Sequence, residues 1–360
     1  MKCFQCRTRI LSGSGAVAAL KELAPRRLFL VTDPYFAENG TADRIAAASG
    51  AEAVEIFRDV APDPSVALTA AGTAKVKAFG PDVLVALGGG SAMDCAKAML
   101  FFSGAEAKLV AIPTTSGSGS EVTDFAILTH DGVKHPLVDG KLQPDVAILD
   151  DALLQALPAS LIADSGFDVL AHALESYAAA NAGAVSDALA KDAFCTAFAY
   201  LPASYGGDTS VRLSLHLAAT MAGIAFSQAG LGLCHAMSHV LGGMFHLPHG
   251  RLNAILLPAV VEVNAPAAGG KYAELARAAG LGGAAETVAL RNLKNGLTRL
   301  RSELKLPATL AQAGVAPQKV RNSREQILNA VPEDPCCGTN PVPVTKDLVA
   351  RVLDAVTGHG

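Results

Sequence analysis

The chain has 360 residues, 51% of them hydrophobic, which predicts a globular protein of two domains with a large buried core. The formal net charge is −4 and no run of Lys or Arg occurs, so the composition argues against nucleic acid as a partner. No apolar run is long enough to span a bilayer without interruption and the amino terminus lacks a secretory pattern, which predicts a cytoplasmic protein without membrane contact.

The first part of the chain alternates short apolar runs with Ala-rich helical segments, a pattern typical of a parallel sheet covered by helices. The predicted strands are Leu28 to Thr32, Ala53 to Phe57, Val83 to Leu87, Leu109 to Pro113 and Val146 to Leu149. After Pro158 the strand signal fades, and the remainder has helical periodicity, in which the small-residue tracts Ala265 to Gly270 and Leu281 to Ala285 are interpreted as loops and helix caps. We therefore predict an α/β domain over residues 1–157 and an all-helical domain over residues 158–360.

Two loops after predicted strands indicate a phosphate-binding site in the α/β domain. Gly88-Gly89-Gly90-Ser91 leads into a helix, whose free N–H groups and positive dipole end suit a pyrophosphate. Glycine alone is weak evidence, because tight turns use glycine anyway. A second loop, residues 114–120, is dense in hydroxyls that can bond phosphate. Because the Lys of a Walker loop is missing, a dinucleotide is favoured over a nucleoside triphosphate.

Asp33 ends the first predicted strand, where an acidic side chain can bind the ribose hydroxyls of an adenosine. A carboxylate there repels a 2′-phosphate, which favours NAD over NADP. The alternative is that Asp33 only begins the Asp-Pro turn. Spacing alone leaves both interpretations open.

The helical part contains candidate metal ligands in two separate stretches. Asp168 and His172 stand four residues apart, so a helix places both on one face. His235 and His239 repeat that spacing, and His249 follows a predicted break at Gly242-Gly243, where the Pro248 backbone can aim its ring.

The candidate ligands are Asp168, His172, His235 and His249. One carboxylate and three imidazoles predict a buried mononuclear centre, and such a set suits iron(II) and zinc alike. The alternative is that these are ordinary core histidines. That alternative must explain several costly buried polar groups among apolar residues, namely His172, His235, His239, His246 and His249.

Four stretches of the sequence resemble, in the same order, those of the iron-containing (group III) alcohol dehydrogenases. They are GGGSAMDCAKA, IPTTSGSGSEVTDFAILT, DSGFDVLAHALES and CHAMSHVLGGMFHLPHGRLNAILLP. The resemblance covers most of the chain. Within the family it is strongest to the 1-propanol dehydrogenases of propanediol-utilisation microcompartments.

The resemblance implies a Rossmann-like NAD-binding domain, a helical metal domain of the dehydroquinate synthase-like architecture, and an active site in the cleft between them. It assigns the metal to Asp168, His172, His235 and His249. It implies that His239 is not a ligand but lines the cleft, where we hypothesise that it relays a proton. The implied cofactor positions are Asp33, Gly88, Gly89, Gly90, Ser91, Thr114, Thr115, Ser118 and Lys134.

The expected activity is the iron-dependent, NAD(H)-linked interconversion of short-chain aldehydes and primary alcohols, with propionaldehyde and 1-propanol as the expected pair and zinc as the alternative metal. The alternatives are a glycerol-type polyol dehydrogenase and a dehydroquinate-synthase-like lyase. We expect a homodimer or higher homo-oligomer, in the cytoplasm or inside a bacterial microcompartment. Met1 to Arg9 could dock to a shell protein, or could simply contain a first strand.

Overall fold

The computed structural model of the chain describes residues 4–131 and 133–358. The chain divides into two compact units, with the boundary between Leu157 and Pro158. In the described part, every strand lies before this boundary.

The first unit is built on a six-stranded parallel sheet of order β1-β8-β5-β4-β2-β3, with an additional antiparallel ribbon of β6 and β7. The strands are β1 (Arg9–Ser12), β2 (Arg27–Thr32), β3 (Ala53–Phe57), β4 (Val83–Gly88), β5 (Lys108–Pro113), β6 (Phe125–His130), β7 (Val133–Val138) and β8 (Val146–Leu149). The α-helices of this unit are α1 (Pro34–Glu38), α2 (Thr41–Ser49), α3 (Val66–Phe79) and α4 (Gly90–Ser103).

The strand order creates a switch point between β2 and β4. From β2 the chain goes to β3 on one side and returns to β4 on the other, and ligands of doubly wound sheets bind at the carboxyl ends of such strands. All six residues of β4 are buried, as expected for a strand covered on both faces. Asp33 follows β2 and the glycine cluster follows β4, so both lie at this switch point.

All five predicted strands are confirmed within one residue at either end. The sequence did not predict the β6–β7 ribbon, and it left β1 as an alternative. Arg9 begins β1, an exposed edge strand that pairs with β8, so the strand interpretation accounts for this residue. Met1 to Cys3 lie outside the described residues.

The second unit is formed by nine α-helices and short 3-10 turns in its described part. The helices are α5 (Ala159–Ala178), α6 (Ala184–Tyr205), α7 (Arg212–Ala229), α8 (Leu233–Phe245), α9 (His249–Ala278), α10 (Glu286–Glu303), α11 (Pro317–Asn322), α12 (Arg324–Ala330) and α13 (Lys346–Thr357). The prediction of a loop at Ala265 to Gly270, based on its small residues, is wrong, because this stretch lies inside α9. Burial of α9 against its neighbours outweighs the low helix propensity of Pro266 and the glycines.

By length and composition alone, α9 could cross a membrane, and the pair Thr209–Ala229 and Leu233–Phe245 meets the same criterion together although it is bent by 103°. Of the apolar window in α9, 72% is buried inside the protein, as in a core helix of a soluble protein. The match is therefore weak evidence for a membrane span.

A buried lysine ties α4 to the segment that follows the hydroxyl-rich loop. Lys97 is 1% exposed, and its Nζ donates to Ser120 Oγ at 3.0 Å, to the carbonyls of Thr123 and Phe125 at 3.0 and 2.9 Å, and to Thr123 Oγ1 at 2.9 Å. Burial lowers the pKa of Lys97 to about 8, although the charge of Asp94 opposes this shift. These bonds fix the end of the loop against the helix.

We expect Lys97→Met to lower the free energy of unfolding by about 3–5 kcal/mol, because it leaves buried acceptors unpaired and the Asp94 carboxylate without its cation. Urea unfolding, read from the first transition, measures this change. The control is the exposed Lys108→Met, which should change stability by less than about 0.5 kcal/mol. Equal stability of the two variants would contradict the role of Lys97.

Candidate metal centre and cofactor-binding edge

One buried carboxylate faces three imidazoles in the helical unit. Asp168 Oδ1 lies 3.8 Å from His172 Nε2, 3.7 Å from His235 Nε2 and 3.5 Å from His249 Nε2. These separations are too long for good hydrogen bonds. They are close to the roughly 3.4 Å that separates two ligands of a tetrahedral metal with bonds of about 2.1 Å.

One imidazole nitrogen beside Asp168 has no hydrogen-bond partner among the described residues. His235 Nε2 is buried and has no hydrogen-bond partner among the described residues, which is costly unless a cation or a proton binds it. The His235 ring stacks on His172 at 4.4 Å between centroids, so its orientation is fixed. The donor set and the unsatisfied nitrogen therefore fit a divalent metal.

The pKa values reflect the same crowding of charges. Burial acts to raise the pKa of Asp168, but the charges of His172 and His249 lower it well below its usual range. Burial acts to lower the pKa of His235, yet the carboxylates of Asp168 and Glu175 raise it to about 9. Burial also lowers the pKa of His249 well below its usual value, and the neighbouring imidazoles add to this. The lowered pKa of His249 favours a neutral ring with a nitrogen available to a metal, whereas a metal at His235 must displace a proton.

Glu175 contacts the ring nitrogen of His235 that does not face Asp168. Glu175 Oε2 lies 2.7 Å from His235 Nδ1, and the carboxylate also accepts from the backbone N–H groups of Gly232, Cys234 and His235. Because an ionised carboxylate only accepts, Nδ1 carries a proton, and Nε2 is the nitrogen that would bind a metal in exchange for its own proton. Sequence reasoning missed Glu175, although it follows His172 by three residues on the same helix and could have been found by that spacing.

Two further contacts place Asp168 and His249. Asn253 Nδ2 donates to Asp168 Oδ1 at 2.8 Å, and Arg251 forms two bonds with Asp164, at 3.2 and 2.9 Å. A Cβ on Gly250 would lie 1.9 Å from the Asp164 carbonyl oxygen, so only glycine permits α9 to begin this close to α5. His249 is the first residue of α9 and is thereby placed beside Asp168.

The predicted break at Gly242-Gly243 is wrong. Helix α8 continues to Phe245, because the glycines lie in a packed helix, and the chain turns at His246, which has φ 56° and is exposed. The exposed position places His246 outside the cluster of buried imidazoles.

His239 lies next to the cluster and has its own carboxylate partner. Its Nδ1 lies 2.9 Å from Asp334 Oδ2, and its ring stacks on that of His249 at 5.4 Å between centroids. Asp334 begins the 3-10 turn Pro335–Thr339 and accepts from the Cys336 N–H at 2.9 Å. Burial acts to raise the pKa of Asp334, but the hydrogen bond from His239 and its charge lower it. No local pattern in the sequence indicated this pair, since 95 residues separate its members.

The first unit brings most of the predicted cofactor positions together. Gly88 has φ 147°, and a Cβ there would lie 2.6 Å from Ala92 Cβ and 3.5 Å from Asp33 Oδ2. Cβ atoms on Gly89 and Gly90 would lie 3.4 Å from Thr115 Oγ1 and 3.3 Å from Ser118 Cβ. The glycine cluster, with Ser91 in the first turn of α4, is therefore lined by the hydroxyl-rich loop, and the Thr114 N–H is bonded to the Gly88 carbonyl at 3.0 Å.

Asp33 and Lys134 have partners of their own. Asp33 caps α1 by accepting from the Phe36 N–H at 3.2 Å, so the turn interpretation describes one of its contacts, while Oδ2 faces the glycine cluster. Lys134 lies on β7, where its Nζ is 2.7 Å from Asp63. In this structure the lysine charge is paired with that carboxylate.

Models of one protein family match both structural units of the chain. Residues 7–151 match the family model of iron-containing alcohol dehydrogenases, and residues 162–357 match that of the C-terminal part of the same family. The chain is 42% identical to the 1-propanol dehydrogenase PduQ of Citrobacter freundii over 86% of this chain and 87% of that protein.

Two solved structures are similar over nearly the whole chain. An iron-containing alcohol dehydrogenase from Thermococcus thioreducens has a TM-score of 0.92 and 34% identity, and covers 99% of this chain and 100% of that chain. A sulfoacetaldehyde reductase from Bifidobacterium kashiwanohense, solved with NAD+, has a TM-score of 0.90 and 25% identity, and covers 100% of both chains. The predicted fold class, a parallel-sheet unit followed by a helical unit, is confirmed. The chain therefore belongs to the iron-containing alcohol dehydrogenases, a family of oxidoreductases, and is an enzyme of that kind.

Proposed function

We propose that this enzyme is an iron-dependent, NAD(H)-linked reductase that converts short-chain aldehydes, propionaldehyde above all, to primary alcohols. The observation that carries the proposal is the approach of three imidazole Nε2 atoms to one Asp168 oxygen at 3.5–3.8 Å. The named activity of the Citrobacter relative supports the choice of substrate. A polyol dehydrogenase or a lyase is not favoured, because the family model and this relative are those of alcohol dehydrogenases.

Asp168, His172, His235 and His249 would hold the metal. A bound iron(II) supplies a Lewis acid that polarises the oxygen of an aldehyde or alcohol, and zinc can supply the same chemistry. Glu175 keeps the proton of His235 on Nδ1, and Asn253 orients the Asp168 carboxylate. These contacts support a preformed site, since ligand atoms of Asp168, His235 and His249 already lie within 4.8 Å of one another.

The switch point of the first unit would bind the dinucleotide. Its glycines allow a pyrophosphate to approach the backbone at the start of α4, where the helix dipole favours an anion. The hydroxyls of Thr114, Thr115 and Ser118 would donate to the phosphates. Asp33 would bind the adenosine ribose and exclude a 2′-phosphate, and Lys134 would add a positive charge if it left Asp63.

Reduction of an aldehyde requires a hydride at carbon and a proton at oxygen, and we propose that His239 supplies the proton. Asp334 accepts from Nδ1, which fixes the ring orientation. The side chain of His239 is 22% exposed, so the ring can regain a proton from water. An imidazole is suited to this exchange near neutral pH.

Assembly and location remain proposals as well. The resemblance to the propanol dehydrogenases supports a homo-oligomer and a location inside a microcompartment, and the part of Met1 to Arg9 that precedes β1 would be the segment that docks to a shell protein.

The test is anaerobic NADH oxidation with propionaldehyde by metal-free protein that has been reloaded separately with iron(II) and zinc. We expect turnover that depends on iron, that is lower with NADPH, and that exceeds glycerol oxidation. His249→Ala should bind NADH unchanged but lose metal and turnover. Absence of turnover with every short aldehyde, while NADH still binds, would exclude the proposed reaction.

Glu175→Gln should weaken metal affinity by about 10–100-fold, because an amide cannot accept from His235 Nδ1 and three backbone N–H groups as a carboxylate does. Competition with a chelator measures the affinity, and thermal unfolding of the metal-free chain separates this effect from a loss of fold. The exposed Glu325→Gln is the matched control. Equal metal affinity in both variants would show that Glu175 does not position the ligand.

His239→Ala should lower kcat by about a hundredfold or more while metal content is retained, because the proton donor is lost. Asp334→Asn should lower kcat less and alter its pH profile, because the ring keeps its nitrogen but loses the fixed orientation. Turnover and pH profile measured on metal-loaded protein test both. If His239→Ala keeps the wild-type profile, the relay lies elsewhere.

A further inference from the structure

A second group of ligating atoms lies beside the four proposed ligands and shares none of them. A ring nitrogen of His239, a carboxylate oxygen of Asp334 and the sulfur of Cys336 lie within 4.8 Å of one another. Asp334 already accepts from His239 Nδ1 at 2.9 Å and from the Cys336 backbone N–H at 2.9 Å, so it lies between the other two. Imidazole, carboxylate and thiolate are three of the ligand types that zinc prefers.

We propose that His239, Asp334 and Cys336 form a second metal site, which takes zinc or a similarly soft divalent cation. The thiolate makes this site softer than the oxygen and nitrogen set of the first, and so favours zinc over iron(II). Three protein ligands leave the fourth position of a tetrahedral ion to water. All three side chains are half-buried, so a hydrated ion can reach them.

Binding of a divalent cation at this second site can be balanced in protons and in charge. The Cys336 thiol releases its proton to solvent, and the ring proton of His239 moves from Nδ1 to Nε2, so the ring stays neutral. One carboxylate and one thiolate then neutralise the dication. This neutralisation matters because the His239 ring lies only 5.4 Å from that of His249, a proposed ligand of the first metal.

The adjacent cysteine provides a matched control. Cys337 Sγ lies 3.0 Å from the Val331 carbonyl oxygen and is engaged there. Both cysteines are free thiols in the same 3-10 turn, but only Cys336 belongs to the cluster. Replacement of either by serine keeps the turn and the backbone N–H that Asp334 accepts.

The experiment is an anaerobic Co2+ titration of the full chain after dialysis against a chelator. Cobalt in the first site has no sulfur ligand, whereas cobalt in the second gives the near-ultraviolet charge-transfer band of a cobalt–thiolate bond. We expect two cobalt ions per chain and this band in the wild type and in Cys337→Ser. In Cys336→Ser the band should be lost and the second ion should bind at least about tenfold more weakly. Circular dichroism checks that the chelator-treated chain is folded. If that chain unfolds, the Co2+ titration is carried out on the protein as purified.

One cobalt per chain without the band, or a band that survives in Cys336→Ser, overturns the proposal. A second readout concerns the reaction: an ion in this site removes the His239–Asp334 hydrogen bond, so excess zinc should inhibit the wild type and Cys337→Ser but not Cys336→Ser. This readout rests on the proposed role of His239. Two bound ions with the band but without inhibition would overturn that role and leave the site established.

Discussion

The buried carboxylate of Asp168 is the constraint on which the helical unit depends. Three imidazole nitrogens approach one of its oxygens, and none of the three is close enough for a strong hydrogen bond. A lone buried carboxylate is costly, and the rings around it cannot all be protonated because they repel one another. A divalent cation resolves both problems at once, since it neutralises the carboxylate and accepts the lone pairs. The same helix–helix packing is thus stable with a metal and costly without one.

The support for this arrangement comes from the helices that carry the ligands. Helix α5 supplies Asp168 and also Glu175, which fixes the tautomer of His235 on α8. Helix α9 supplies His249 and also Asn253, which fixes the Asp168 carboxylate. Because two of the proposed ligands, Asp168 and His235, are oriented by a residue from another ligand-bearing helix, a shift of α5 or α9 would disturb ligands on more than one helix. Coupling of this kind makes metal affinity a sensitive measure of packing in the unit.

The sequence predicted what depends on local pattern and missed what depends on distant contacts. Buried parallel strands are continuous apolar runs, so β2, β4, β5 and β8 could be predicted, and the partly buried edge strand β3 keeps enough apolar residues to be predicted as well. The four proposed ligands were chosen from helical spacing and residue type, and they converge on one oxygen. The partnership of His239 with Asp334 has no such signature, because a turn 95 residues away supplies the carboxylate. The helical course of residues 265–270 was missed for the same reason, since burial overrides propensity there.

The turn that carries Asp334 would link the proposed proton transfer at His239 to the proposed second cation site. A carboxylate has several lone-pair positions, and Asp334 uses them for the His239 ring and for the Cys336 N–H, with the Cys336 sulfur close by. The geometry that holds the ring for proton exchange is therefore close to the geometry of three ligands around an ion. Only the distances differ, because a cation must draw the sulfur and the ring nitrogen nearer to one point. A residue that positions a proton donor beside a metal centre thereby also creates a competing site for a softer metal. The thiol at position 336 decides whether that competition is significant, since imidazole and carboxylate alone offer two ligands and a half-buried ion needs at least one more to displace its water.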